Sequence, residues 1–364
     1  MLPRQGQSSG RFWISAVAAL LTIALPAKSV VFLSTDDPDF NTTPPTGDLR
    51  DSGWQWQGNW RGFGGTVIAP NLFLTAQHVG GAVGDVFVFD GRPYPTLASF
   101  ADPQSDLMIW KVCGEFPLSA PLYEGSTEVG AACVVFGHGL RRGEAVTVAG
   151  GVNPGLRGWR WGANDGRLRW GENTIAGVET GSRGGEQLKA LFDQGAGPNE
   201  AMLAGGDSGS GLFLREGGQW KLAGVNFAVD GPFRQVGSSE AFSAALFDKR
   251  RLLEFGANSR WTLVPDDDVP VPAAFYATRV SARLAWIRSV IAAESARETP
   301  PVVEAAALPE GPFIELAPVV ADGAERLLIV PLPSANQYFR LRHCRAVTII
   351  SIDLVPGAIE LRWE

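Results

Sequence analysis

Histidine, cysteine and methionine are scarce in this chain, three of each in 364 residues, and tyrosine occurs only four times. An odd number of so few cysteines excludes a disulfide-built scaffold. No Cys-x-x-Cys or His-x-x-x-His spacing occurs, so no metal site is expected. Charged residues make up only 19%, and the balance of −7 leaves no basic footprint of the kind that nucleic acid requires as a partner. Long apolar runs are missing after the first 27 residues, so no later membrane span is expected. What is plentiful is glycine, 44 residues, and proline, 25, beside 45% hydrophobic residues. That balance suits many short strands joined by turns, with few long helices. The length exceeds what a single core usually supports, so more than one folding unit is expected.

Residues 1–27 read as a signal peptide. Arg4 and Arg11 supply positive charge, "FWISAVAALLTIAL" (12–25) an apolar run too short to span a bilayer, and Ala27 a small residue suited to cleavage. A soluble exported protein, secreted, periplasmic or held at the cell surface, is expected from that reading. Cys113 and Cys133 lie in expected strands separated by a short loop. Whether they pair stays open, because sequence fixes neither geometry nor redox state.

Residues 28–53 lack periodicity and read as an N-terminal arm. From 54 to 293 short apolar runs alternate with turn signals, as in "GGTVIAPNLFLTAQHV" (64–79), "DLMIWKVC" (106–113) and "GAACVVFGHG" (130–139), which argues for a sandwich or barrel. "RGWRWGANDGRLRWG" (157–171) reads as an exposed hairpin with its turn at Asn164-Asp165-Gly166, in preference to an acidic-ligand or carbohydrate platform. "RVSARLAWIRSVIAAESAR" (279–297) predicts a helix with Val280, Leu284, Ile287 and Ile291 on its apolar face. The Pro- and Ala-rich segment 294–312 reads as a linker, and 313–364 as a small β module that could serve attachment or protein contact.

Acyl transfer by a serine needs a nucleophile, a base for its proton, a carboxylate to hold the base, and N–H donors for the oxyanion. Ser208 stands in "AGGDSGSGLF" (204–213), where Gly206 and Gly209 permit a tight turn with converging N–H groups. His78 ends the apolar run "LFLTAQHV", and Asp106 opens "DLMIWKV". Alone, each has a bland reading as a loop serine, a strand-end histidine or a strand-starting cap. Together they run His, Asp, Ser.

That order and those flanks resemble the trypsin/chymotrypsin-like serine peptidase family, of bacterial secreted type, in "TAQH" (75–78), "DLMI" (106–109) and "GDSGS" (206–210). "FYATRVSARLAWIRSVI" (275–291) is similar to the family's closing strand and helix, so the resemblance covers roughly 54–293. It implies an all-β fold of two six-stranded antiparallel β-barrels with a C-terminal helix and the site between the barrels. It further implies His78 as base and acid, Asp106 as its orienting carboxylate, Ser208 as nucleophile, and the N–H groups of Gly206 and Ser208 as oxyanion hole. No cofactor is implied, and the partner is a protein or peptide substrate.

The departures are Gln77 before the histidine, Val79 after it, and Ser210 in place of a second glycine. No Ile-Val-Gly-Gly start is present, so no activation cleavage of that kind is expected, and what neutralises Asp207 is left open. Counting from the nucleophile puts Met202 at the base of the primary substrate pocket, favouring an apolar side chain. Segment 231–270 reads as an insertion near that pocket. His138, in "FGHG", and His343 are expected to lie outside the chemistry. The competing reading is an inactive protease-like binding or adhesion module, since fold alone does not guarantee chemistry. An α/β-hydrolase would need the reverse order of the three residues.

Overall fold

Short runs of β-branched and aromatic residues, broken every few positions by Gly, Pro or Asn-Gly-type turns, can bury themselves only by pairing with one another. The computed structural model shows how they do so. It describes residues 30–181, 185–256, 259–294, 301–322, 326–331, 338–342 and 349–363. The expected signal peptide, His343 and Cys344 fall outside these residues. Among the described residues no helix is long and apolar enough to cross a membrane.

The arm contributes a short strand, β1 (Val31–Phe32). Six strands then close the first barrel: β2 (Gln57–Trp60), β3 (Phe63–Ala69), β4 (Leu72–Ala76), β5 (Val86–Phe89), β6 (Arg92–Ala101) and β7 (Leu107–Val112). Their order round the barrel is β2-β3-β4-β7-β6-β5, all pairs antiparallel. Trp60, Phe73, Phe87, Leu107 and Ile109 fill it and are fully buried.

Next come β8 (Ala132–Gly137), β9 (Leu140–Val148), β10 (Gly155–Asn164), β11 (Arg169–Thr180), β12 (Glu186–Leu191), β13 (Ala201–Met202), β14 (Gly211–Glu216) and β15 (Gln219–Val229). The second barrel closes in the order β11, β12, Ala274–Arg279, β15, β14, β8. Its core holds Val135, Leu188, Leu212, Leu214 and Phe275. The expected fold class of two six-stranded antiparallel barrels is therefore the observed one.

The expected hairpin over 157–171 does not form. β10 pairs with β9 and with Ala244–Leu246, while β11 enters the second barrel between β8 and β12. The two strands bury their aromatic residues in different places. Trp159 packs in the second core, whereas Trp170 packs in the first and donates its indole N–H to Thr43 O at 2.9 Å. The turn between them is held by Arg169, whose guanidinium donates twice to the Asp165 carboxylate, at 2.8 Å each.

After the second barrel, one turn of 3-10 helix (Ser281–Arg283) leads into α1 (Leu284–Glu294), as the periodicity predicts. Val280, Ile287 and Val290 are buried in the first barrel's core cluster, with Leu284 and Ile291 partly buried beside them. The helix thus leaves the second barrel and packs on the first. Lys111 of β7 reaches Glu294 at 3.3 Å, and Asn71 donates to the Glu294 carbonyl at 3.4 Å.

Segment 231–270 builds a four-stranded sheet of Ala241–Phe242, Phe233–Gln235, Leu252–Phe255 and Trp261–Leu263. Part of the expected linker is a strand, Val302–Ala306, flanked by Ile314–Glu315 and Tyr338–Arg342. A second sheet orders Val320–Asp322, Leu327–Pro331, Ala358–Trp363 and Ile349–Val355. Val303, Leu328, Val330, Ile359, Leu361 and Trp363 form a small core of their own.

The open cysteine question resolves against a 113–133 bridge. Cys113 is disulfide-bonded, but Cys133 is a free thiol, fully buried in the second barrel, where burial pushes its pKa up. Cys133 lies on β8 of the second barrel, whereas Cys113 directly follows β7 of the first.

Candidate active site

β4 runs inward as an entirely buried strand and ends in a single 3-10 turn, Gln77–Val79, which carries His78 out of the first barrel. A five-residue loop between β6 and β7 ends at Asp106. Two backbone contacts tie loop and turn together: Gln77 N–H donates to Asp106 O at 2.6 Å, and His78 N–H donates to Asp106 Oδ1 at 3.1 Å. The carboxylate is 1% exposed and the imidazole 27%. Imidazole Nδ1 lies 2.5 Å from Asp106 Oδ2 and Nε2 lies 2.9 Å from Ser208 Oγ. A carboxylate can only accept here, so Nδ1 carries the proton and the Nε2 lone pair faces the serine hydroxyl. Phe227 of β15 lies edge-on to the ring, 5.6 Å between centroids.

Ser208 sits in the turn that precedes β14, held to both barrels. Its carbonyl accepts from Gly64 N–H at 3.0 Å, and the next N–H, that of Gly209, donates to Asn226 O at 2.9 Å. Gly206 has φ +97°, and a Cβ there would meet Gly139 Cα at 2.7 Å, so neither side chain nor ordinary backbone fits. Among the described residues the N–H groups of Gly206 and Ser208 donate to no backbone carbonyl, whereas those of Asp207, Gly209 and Ser210 all do. Two donors are thereby left available beside the Ser208 hydroxyl.

Asp207 is turned the other way, 1% exposed. Burial pushes its carboxyl up to about 7, against N–H groups from Ala204 (2.8 Å), Gly139 (2.7 Å) and Val30, which favour the ion. These donors satisfy the carboxyl oxygens, the charge of Arg169 also favours the ion, and Val30 comes from the arm. His138, beside Gly139, is buried, and burial lowers its pKa to about 4.

Next to Ser208 is a cavity of about 190 Å³ lined by Trp161, Leu203, Ala204, Gly205, Phe227 and Val229, with the buried Asp207 as its one ionisable neighbour. Met202, expected at its base, is not among the lining residues. It pairs with Val31 in the β1–β13 ladder and is fully buried in the second core, so the wall begins one residue later, at Leu203. Trp161 was not foreseen, because its strand was read as part of an exposed hairpin. Its backbone N–H donates to Ser243 O at 3.0 Å, which sets the 231–270 segment against the cavity wall.

No protein-family model matches the chain, and no curated protein matches it. Among solved structures it is similar to neuropsin, a serine protease expressed in the limbic system of mouse brain. The two share 14% identity at a TM-score of 0.39, across 66% of this chain and 96% of the other. So loose an overlap transfers no residue role from one chain to the other.

Proposed function

We propose that the chain is a serine endopeptidase. The observation that supports this reading is the hydrogen-bonded line Asp106–His78–Ser208, lying beside two backbone N–H groups that donate to no backbone carbonyl. Ser208 Oγ attacks the scissile carbonyl carbon while its proton passes to His78 Nε2. Asp106 holds the imidazole in the required tautomer and stabilises the imidazolium. The negative charge that develops on the carbonyl oxygen is met by the Gly206 and Ser208 N–H groups, a contribution of about 3–4 kcal/mol per well-aimed donor. As the tetrahedral intermediate collapses, His78 returns the proton to the leaving amine, and water then repeats the cycle on the acyl-enzyme.

The residue on the acyl side of the cut is proposed to be apolar. Trp161, Leu203, Phe227 and Val229 offer a bound cation no exposed carboxylate, and an unpaired charge in such a site is costly. The test is labelling by a fluorophosphonate probe. Wild type is expected to label, and Ser208→Ala and His78→Ala to lose the label while keeping the native melting profile. Absence of labelling in folded wild type would leave the binding-module reading in its place.

A further inference from the structure

Asp106 orients the imidazole only as well as its own loop is fixed, and that loop is five residues long, Asp102-Pro103-Gln104-Ser105-Asp106. Its first residue is a second buried carboxylate. Asp102 accepts from Ser105 Oγ and from Gln104 N–H at 3.2 Å, and its own N–H donates to Leu107 O at 2.9 Å, closing the loop on itself. A carboxylate so enclosed is costly as an ion unless it is paired or well hydrogen-bonded. Its cation comes from far along the chain: Arg283 Nε donates to Asp102 Oδ2 at 2.6 Å and Nη2 to Oδ1 at 2.7 Å, while Nη1 donates to Gln104 Oε1 at 2.6 Å. Asp102 is fully buried at its side chain and Arg283 is 18% exposed.

We infer that Arg283, acting through Asp102 and Ser105, is a positioning residue for Asp106. The inference rests on the peptidase reading of the site. The guanidinium fork fixes two oxygens and the neighbouring amide at once, which a point-charged ammonium cannot do. Ser105, hydrogen-bonded to the clamped carboxylate, is covalently joined to Asp106, so the orientation of that peptide is set from Arg283. Burial works to raise the Asp102 carboxyl, but the hydrogen bonds from Arg283 and Ser105 outweigh it and hold it below its usual value. The clamp is therefore charged throughout the working range of the site. Arg283 lies in the 3-10 turn that begins the strap from the second barrel onto the first, so the barrel that carries Ser208 also fixes the acid of the other barrel.

Arg279 provides the control. It ends the strand Ala274–Arg279 that leads into the strap and makes its own ion pairs with Glu128 and Glu186, at 2.8 and 2.5 Å, and among the described residues no hydrogen bond or ion pair joins its side chain to the 102–106 loop. Hydrolysis of a Phe-containing peptide p-nitrophenyl ester should be measured for wild type, Arg283→Ala, Arg283→Lys and Arg279→Ala. The far-downfield proton resonance of the His78–Asp106 pair should be followed in each. A displacement of Asp106 is expected to lower kcat in Arg283→Ala by about 10- to 100-fold at unchanged KM. The resonance should move in that variant, and Arg283→Lys should recover part of the loss. Arg279→Ala should lower the melting temperature while keeping kcat and the resonance. If Arg283→Ala does not fold, Arg283→Lys carries the same comparison. Equal melting losses in both alanine variants, with kcat and the resonance unmoved, would overturn the positioning role while leaving the peptidase reading intact. A folded wild type that neither hydrolyses the ester nor labels at Ser208 would remove both.

Discussion

Asp207 and Glu200 both hold protons more tightly when folded than when unfolded, and for the same reason. Burial pushes Asp207 up to about 7 and Glu200 to about 8, the latter against a donation from Asp193 N–H and with Asp193 and Glu172 adding to the rise. His138 is shifted the other way, down to about 4 by burial. Between an unfolded carboxylate value near 4 and its raised folded value, the native state binds more protons than the unfolded chain, so each carboxyl makes stability fall as pH rises. His138 has the opposite slope, with stability rising from about 4 to its unfolded value near 6.5. Above that only the two carboxyls remain, so stability should fall from pH 6.5 to 8. Glu200→Gln is expected to flatten that fall, which urea titrations at a series of pH values would read. An unchanged slope would place the titrating group elsewhere.

The meeting of His78, Asp106 and Ser208 was expected from sequence because each sits at the end or start of a strand or in a glycine turn, and because their chain order constrains them jointly. Met202 was not. Counting residues places a position along the backbone, but the two-residue ladder with Val31 decides which way that side chain turns. Val30 and Arg283 were equally hidden, since each contacts its carboxylate across well over a hundred residues and leaves no local pattern.

At the scale of elements, α1 and the β10–β11 stretch show the two sides of reading periodicity. α1 buries Ile287 completely and Val290 nearly so; the spacing that predicted the helix named Ile287, with the partly buried Leu284 and Ile291, but not Val290. Ile287→Ala removes methyl groups from a site walled by the first barrel, and should cost about 2–5 kcal/mol in a denaturant titration. A loss under 1 kcal/mol would mean that the strap is not packed as described. The alternation of Trp and Arg over 157–171 correctly predicted extended backbone. It could not predict pairing, because Trp159 and Trp170 satisfy the same hydrophobic requirement in different cores, and the ladder partners come from β8, β9 and β12.

The whole molecule separates its sulfur chemistry as it separates its cores. Cys133 lies inside the second barrel and is released only when that barrel opens, whereas Cys113 is already engaged in a disulfide. Alkylation in native buffer should therefore spare Cys133 and modify it once denaturant unfolds the barrel, while Cys113 should react only after reduction. Peptide mass mapping distinguishes the two, and modification of Cys133 in native buffer would contradict its burial.

The β1 strand has a mechanical consequence. It is joined to β13 by only two register pairs, Val31 with Met202 and Phe32 with Ala201, yet the N–H of Val30 bonds the side chain that backs the Ser208 turn. Traction on the arm would reach that short ladder and the Asp207 contact before it reached either closed barrel, whose strands share load with neighbours on both sides. The arm is thus tethered to the Ser208 turn through Asp207, and tension there would act on that turn before it acted on either barrel.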